Sequence, residues 1–412
     1  MDWSNIRGRL GRSNEKYRFY FGDYTYNDPT NTKVASLIGR AHVGWGKRAV
    51  EMRANKTHFD CFENDTMGLN ELFAKYRVKE ALDMVKEDVL VGGCGFLVLA
   101  GDRVMPFNSQ EATGTFDWHE QNLKDGVAVF RDETKRIKGE MPNAYMKFTA
   151  NETTSVEDGV VTITPNIIGR PLMGVLTHKS TTMRPFGRSV LSKPARDAIV
   201  DASRTVRQAM IAAHYYNSKV DVLLGVDGSN DVNTLDRKTG DVLMVGTNEE
   251  GQMPQIGEFA QHAMAPFNDT IMTAARNFCS DTKLSLVNLG ITSDAPQSTE
   301  ALEIVNDDLR DSIQEWHREL GEQLKYFAVT LWMYENKIRN IDDNLRERIE
   351  ATVPVWKSIY RTDISKAGDG IMKLAQIAPN IVESRTIWRN LGLTSAEIDN
   401  AIQSAKNAQN MR

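Results

Sequence analysis

The chain has 412 residues, 41% of them hydrophobic and 25% charged, with a formal net charge of -5. That length exceeds one ordinary core, so two to four water-soluble domains are expected, and the slightly acidic balance excludes a general polyanion binder: any nucleic-acid contact has to be local or weak. Three widely spaced cysteines, Cys61, Cys94 and Cys279, make no disulfide framework; they fit a reducing compartment and read as small buried side chains.

The opening MDWSNIRGRLGRSNEK lacks the apolar core of a signal peptide, and the longest apolar run, VLVGGCGFLVLAG at 89–101, is too short to span a bilayer. The expectation is a cytosolic protein without a membrane span. Residues 68–87 carry helical spacing at Leu72, Tyr76, Val78, Ala81, Met84 and Val85, followed by the strand-like FLVLA. GVAVFRD, AYMKFTA, VVTITPN and MGVLTH then alternate, divided by glycine-containing turns that include Asp125-Gly126 and Asp158-Gly159. Residues 1 to about 185 therefore read as an α+β unit.

The texture changes at RPFGRSVLSKPARD, where Pro194 suits the first turn of a helix with an inner face of Ala198, Ala202, Val206, Ala209, Met210, Ala213 and Tyr216. KVDVLLGV and DVLMVG read as strands around the polar turn DGSNDVNTLDRKTG. A second helix is expected from Pro266, with Phe267, Ile271, Ala274, Ala275 and Phe278 at helical spacing.

Between Lys283 and Arg310 no lysine or arginine occurs, while Asp294, Glu300, Glu303, Asp307 and Asp308 do. The strongest periodicity follows: Leu302, Val305, Leu309, Ile313, Trp316, Leu320, Leu324, Phe327, Leu331 and Tyr334, one apolar stripe on a helix roughly 50 Å long. The last 50 residues read as helical, with Ile364, Ala367, Ile371, Leu374 and Ala378 in phase and a capping box at Thr394-Ser395-Ala396-Glu397.

No catalytic constellation emerges. GGCGF and the GWGK of Gly44–Lys47 lack the G-x-x-x-x-G-K-[ST] loop and read as tight turns. The seven histidines form no H-x-H or H-E-x-x-H pair, and His58 with Cys61 has no second pair to complete four ligands, so no metal or cofactor is expected. Gly187-Arg188-Ser189 lacks the closing glycine of a nucleophile elbow. Trp316, Trp332 and Tyr334 read as packing residues before they read as a base-stacking platform.

YRFYFGDY, VGGCGFLVLAG after a helix, and GRPLMGVLTHKSTTMRPFGRSVL together resemble the portal proteins of tailed bacteriophages, in particular the family typified by the portal of a Bacillus siphophage. The resemblance covers nearly the whole chain, which is short for that family. It implies an α+β portal fold assembled as a ring: wing at 1–190, first stem helix 191–217, clip 218–265, second stem helix 266–283, tunnel loop 284–298, wing helix and return 299–354, and helical crown 355–412.

By the same resemblance, Asn288, Gly290, Thr292, Ser293, Asp294, Gln297 and Ser298 would face passing DNA, and Arg196, Arg204, Arg207 and Arg276 would lie in the stem. Asp227, Asn230, Asp236, Arg237, Lys238, Glu249 and Glu250 would offer a clip surface to a terminase or adaptor, while Leu309, Ile313, Trp316, Leu320 and Leu324 would pack the wing helix.

The implied role is a non-enzymatic channel at a capsid vertex for packaging and ejecting double-stranded DNA, assembled in the host cytoplasm. The implied partners are about eleven further copies, the large terminase, head-completion and adaptor proteins, and major capsid and scaffolding proteins. A window without cations suits a channel wall, because each lysine on phosphate adds affinity that a motor has to break. The bland reading of the same acids is a helix start, where carboxylates favour the positive end of the dipole. Two other classes stay open on the residues alone: another virion structural protein, and a cytosolic hydrolase with a pocket of convergent titratable groups.

Overall fold

A computed structural model describes residues 3–27, 39–130, 144–216, 221–224, 255–258, 264–291, 306–359, 385–390, 393 and 395–410. The helices are α1 (Trp3–Leu10), α2 (Asn14–Phe21), α3 (Trp45–Ala54), α4 (Leu69–Lys75), α5 (Val78–Gly92), α6 (Lys193–Tyr216), α7 (Ala265–Thr282), α8 (Asp307–Asn336), α9 (Asp343–Ala351), α10 (Arg385–Asn390) and α11 (Ser395–Asn410). The strands are β1 (Phe59–Glu63), β2 (Cys94–Ala100), β3 (Arg103–Asn108), β4 (Ala112–Asp117), β5 (Asn122–Val129), β6 (Ala144–Phe148), β7 (Glu152–Glu157), β8 (Val160–Pro165), β9 (Met173–Thr177), β10 (Asp221–Leu224), β11 (Gln255–Glu258) and β12 (Val353–Trp356).

The chain divides into two units. The larger comprises 1–24, 44–196 and 278–412; the smaller comprises 25–43 and 197–277. The larger unit is organised on an antiparallel sheet of order β3-β2-β9. Its central strand is a continuous apolar run because it is covered on both faces: Phe96, Leu97, Val98 and Leu99 are all buried, as is every residue of β9. Helix α5 packs on β2 and β3, and α8 packs on β9. Gly174 makes that second contact possible, since a Cβ there would stand 2.7 Å from the ring of Phe327.

An antiparallel meander of order β4-β5-β6-β7-β8 adjoins this sheet. Asp158 and Gly159 both have positive φ (47° and 84°), the conformation of a two-residue hairpin turn, and join β7 to β8 as the Asp-Gly signal implies. At Asp125-Gly126 the same dipeptide signal fails. These residues lie inside β5, opposite Thr115 and Gly114, and Gly126 is there because a Cβ would come 2.4 Å from the Met173 sulfur. Strands β3, β4 and β7 lie outside the four strand runs read from the sequence.

The helix expected over 68–87 is two helices. Tyr76 ends α4 and Arg77, with φ of 55°, restarts the chain at a new angle, so one periodic register cannot span both. The buried face of α5 is Val78, Ala81, Leu82, Val85 and Val89, whereas Met84 is exposed.

Helix α8 runs 30 residues, about 45 Å at the standard rise. Leu309, Ile313, Trp316, Leu320, Leu324, Phe327 and Leu331 are all buried, but Tyr334 is exposed, so the stripe ends one step before the sequence pattern does. Leu302 and Val305 lie outside the described residues. Beside the helix, β1 pairs with β12 over a long sequence separation, and Phe59, Phe62, Phe73 and Trp356 form one aromatic cluster there. Position 355, where the sequence reading starts a new segment, lies inside β12, and β12 pairs with β1.

In the smaller unit, β10 pairs antiparallel with β11. The partner of KVDVLLGV is thus Gln255–Glu258; DVLMVG lies outside the described residues. The inner face of α6 is Ala195, Ala198, Ile199, Ala202, Ser203, Thr205, Ile211 and Ala212. Met210 is exposed there, and Val206, Ala209 and Ala213 are only half-buried, so the alanine-based register drifts away from the buried face after the third turn. Tyr26 and His42 meet edge to face, and the Val43 amide donates to the Ser203 hydroxyl at 3.3 Å.

Candidate functional site

The residues expected to face DNA fall into two groups. Thr292, Ser293, Asp294, Gln297 and Ser298 lie outside the described residues; Asn288 and Gly290 do not. After α7 the chain makes a short 3-10 turn at Val287–Leu289, closed by Gly290 at φ 81°. Asn288 sits inside this turn and is buried, which corrects its assignment to an exposed lining. Its amide N–H donates to the Ser285 carbonyl (3.0 Å), its side-chain Nδ2 donates to Asn306 Oδ1 (2.8 Å), and its carbonyl accepts from Arg48 Nε (2.9 Å). Asn306 is the residue before α8. The two ends of the 289–305 segment are therefore tied together at the Asn288–Asn306 hydrogen bond.

Of the stem arginines, Arg196 is engaged within its own chain: Nη1 donates to the Leu191 carbonyl (2.7 Å), Nη2 meets Glu15 (3.4 Å), and the guanidinium lies over the Phe19 ring. Arg204 pairs with Asp201 one turn before it at 3.6 Å. Arg207 is half-buried and Arg276 is exposed. The clip residues Asp227, Asn230, Asp236, Arg237, Lys238, Glu249 and Glu250 all lie outside the described residues.

A groove of about 1270 Å³ in the larger unit runs beside α8 and is lined by Trp118, Arg170, Thr181, Glu319, Tyr326 and Arg346 among others. Three of its polar side chains, Glu319, Gln323 and Arg170, are held by hydrogen bonds. The Glu319 carboxylate accepts from the Thr177 hydroxyl (2.7 Å), the Lys179 amide (2.8 Å), and both the amide and hydroxyl of Ser180. Gln323, one turn on, accepts from the Thr177 amide at 2.8 Å. Arg170 meets Glu120 at 2.8 Å and lies over the Tyr326 ring at 4.9 Å. A carboxylate with its lone pairs so occupied staples α8 to the segment after β9.

Two buried histidines complete this region. His178 is held at Nδ1 by the Arg188 carbonyl (2.8 Å), and burial pushes its pKa down to about 3. His317 stacks on Trp356 at 4.5 Å and its Nε2 lies 3.1 Å from the Thr57 hydroxyl. That hydroxyl already donates to the Arg53 carbonyl, so Nε2 of His317 carries the hydrogen. Burial, then the charge of His58, pushes His317 down to about 4. Neutral, enclosed imidazoles are packing groups at physiological pH. Among the described residues no three His, Cys, Asp or Glu side chains converge into a metal-holding group, and no helix is long and apolar enough to cross a membrane.

Glu319, Gln323, Arg48, Arg53 and His317 carry the polar architecture yet belong to no sequence motif. The available signal for Glu319 and Gln323 was their i, i+4 spacing on the flank of the Trp316–Leu320 stripe.

No family model matches the chain, and no curated protein matches it. Among solved structures it is similar to a chain in the neck of a native gene transfer agent particle computed with C12 symmetry, at 12% identity over 91% of this chain and 95% of that one, with a TM-score of 0.45. It is similar to a chain in the virion of a native gene transfer agent particle at 13% identity over 88% and 94%, TM-score 0.44. The neck of an empty gene transfer agent particle computed with C6 symmetry contains a chain similar at 13% identity over 74% and 86%, TM-score 0.37.

Proposed function

We propose that this chain is a subunit of a ring-shaped portal channel in a phage-like particle, a structural protein through whose centre double-stranded DNA is packaged and ejected. The observation that carries the reading is the succession of elements. A sheet-bearing unit is followed by the 24-residue α6, the strand pair β10–β11, the 18-residue α7, a pinned turn and the 30-residue α8. This succession supports the reading because it fits the wing, stem, clip, stem, loop and wing-helix order that the sequence resemblance implies. A hydrolase needs convergent, available titratable groups, and of the groups beside the Trp316–Leu320 stripe Glu319 is saturated by hydrogen bonds and His317 is buried neutral.

In this reading the part of the cation-free window after Gly290 presents hydroxyls, amides and carboxylates to the duplex. It stays close to DNA without the counterion-release affinity that would retard it. Residues 218–265 would meet the terminase and later the adaptor proteins, and a ring of about twelve copies would need two complementary faces on each subunit.

Native mass spectrometry with negative-stain microscopy tests the proposal. The expected particle is a closed ring of roughly a dozen 46.3 kDa subunits with a central hole. Leu309→Asp and Leu320→Asp, which put a carboxylate into the fully buried stripe of α8, should abolish rings, and Ser293→Ala should leave them intact. A monomer or dimer at every concentration would refute the proposal.

A further inference from the structure

One face of helix α3 meets the end of α7 and the turn behind it. Trp45 packs on Phe278 at 5.6 Å between ring centres, Arg48 Nε donates to the Asn288 carbonyl at 2.9 Å, and Arg53 Nη2 donates to the Thr282 carbonyl. Positions 45, 48, 49 and 53 lie on a single helical face, and Ala49 supplies the carbonyl that accepts from Arg53 Nη1 at 2.9 Å.

Arg53 is the unusual member. It is 3% exposed, and every acceptor named for its guanidinium is a main-chain carbonyl. Thr282 is the last residue of α7, where the unpaired carbonyls concentrate the negative end of the helix dipole. A rigid planar fork that reaches one carbonyl on its own helix and one at the end of another is a task for arginine; lysine presents a point charge. Burial lowers the Arg53 pKa to about 10, which leaves it charged at neutral pH.

We infer that Arg48 and Arg53 are positioning residues: a clamp on α3 that fixes the last turn of α7 and the buried Asn288 turn, and with them the hydrogen-bonded base of the 289–305 segment. The clamp itself is independent of any reading of function. That the segment it holds borders a DNA channel rests on the portal proposal, and gives the clamp its purpose: a segment repeated around a ring has to start from the same place in every copy.

Hydrogen–deuterium exchange of the full-length protein, read on peptides covering 284–291, tests the inference. The amides of Asn288, Leu289, Gly290 and Ile291 donate to Ser285, Leu286, Val287 and Leu286 carbonyls and report directly on this turn. Arg48→Ala and Asn306→Ala should each speed exchange there by about five- to tenfold, the effect of losing one net hydrogen bond, while β2 and the middle of α8 keep their wild-type rates. Arg53→Lys should do the same and extend the effect into the last turn of α7; Arg12→Ala, at an exposed position, should do nothing. Unchanged exchange in Arg48→Ala and Asn306→Ala would overturn the clamp. Equal acceleration across the whole larger unit would overturn it too, since the residues would then serve general stability alone. Failure of the protein to form rings would remove the channel assignment and leave this exchange result standing.

Discussion

Trp316 offers a quantitative check on how α8 is seated. It is 1% exposed, and its indole Nε1 donates to the Thr177 carbonyl at 3.0 Å, joining the helix to the end of β9. Trp316→Phe keeps an aromatic ring but removes the donor from a buried carbonyl and leaves a void where the second ring was. The first effect costs about 1–3 kcal/mol and the second about 1 kcal/mol, for a total of roughly 2–4 kcal/mol. Trp316→Ala adds the full large-to-small penalty and should reach about 5 kcal/mol. Tyr334, the last residue of the sequence stripe, is exposed, and Tyr334→Ala should cost no more than about 0.5 kcal/mol. Guanidinium denaturation followed by circular dichroism ranks the three: with a slope of about 4 kcal/mol per molar, Trp316→Phe should move the midpoint down by roughly 0.5–1 M. A Trp316→Phe variant within about 0.5 kcal/mol of wild type, or a Tyr334→Ala variant as damaged as Trp316→Ala, would refute this seating of the helix.

His317 should make stability depend on pH. In the unfolded chain it titrates near the ordinary 6.5, but burial holds the native group near 4, so between those values the unfolded state binds the proton first and stability falls as pH falls. The window carries about 3 kcal/mol, and in His317→Gln the loss between pH 7 and pH 4.5, measured from urea midpoints, should shrink by that order. Thiol chemistry gives a second check. Burial pushes Cys94 up to about 12 and Cys279 up to about 11, whereas Cys61 is half-buried and donates to the Ser395 hydroxyl at 3.3 Å. A thiol-reactive disulfide reagent at pH 8 should label Cys61 alone, slowly, in the native protein and all three cysteines in denaturant; fast labelling of Cys94 would contradict its burial beneath α2 and α5.

Periodicity revealed the elements whose burial is one-sided over many turns. The α8 stripe was legible because Leu309 to Leu331 keeps a single face against one partner surface, and β2 and β9 were legible as strands because their apolar runs are bounded by glycine and turn residues. It failed where the backbone changes direction without changing composition. Tyr76-Arg77 breaks a helix with no glycine or proline to announce it, because the left-handed turn is made by an arginine whose side chain stays in solvent. It failed again at Asp125-Gly126, where the glycine answers a steric demand from Met173, a residue 47 positions away that no local window contains.

The candidate site was harder to read for a related reason. Counting charges between Lys283 and Arg310 identifies a stretch with no fixed cation to hold a passing polyanion, but composition does not say which of its polar residues turn inward. Leu284, Ser285 and Asn288 are buried, and an asparagine with a donor and an acceptor on one short side chain is well suited to close a turn inside the protein. The cation-free window therefore begins with a structural pedestal. Leu284 and Ser285 are buried after α7, Asn288 locks the turn to the start of α8, and Gly290 is the first exposed residue beyond Lys283. If the window lines a channel, the DNA-facing part is the portion after that glycine, and substitutions at Asn288 should act through the placement of the segment, with the same signature as Asn306→Ala, while substitutions at Ser293 or Gln297 act on passage directly.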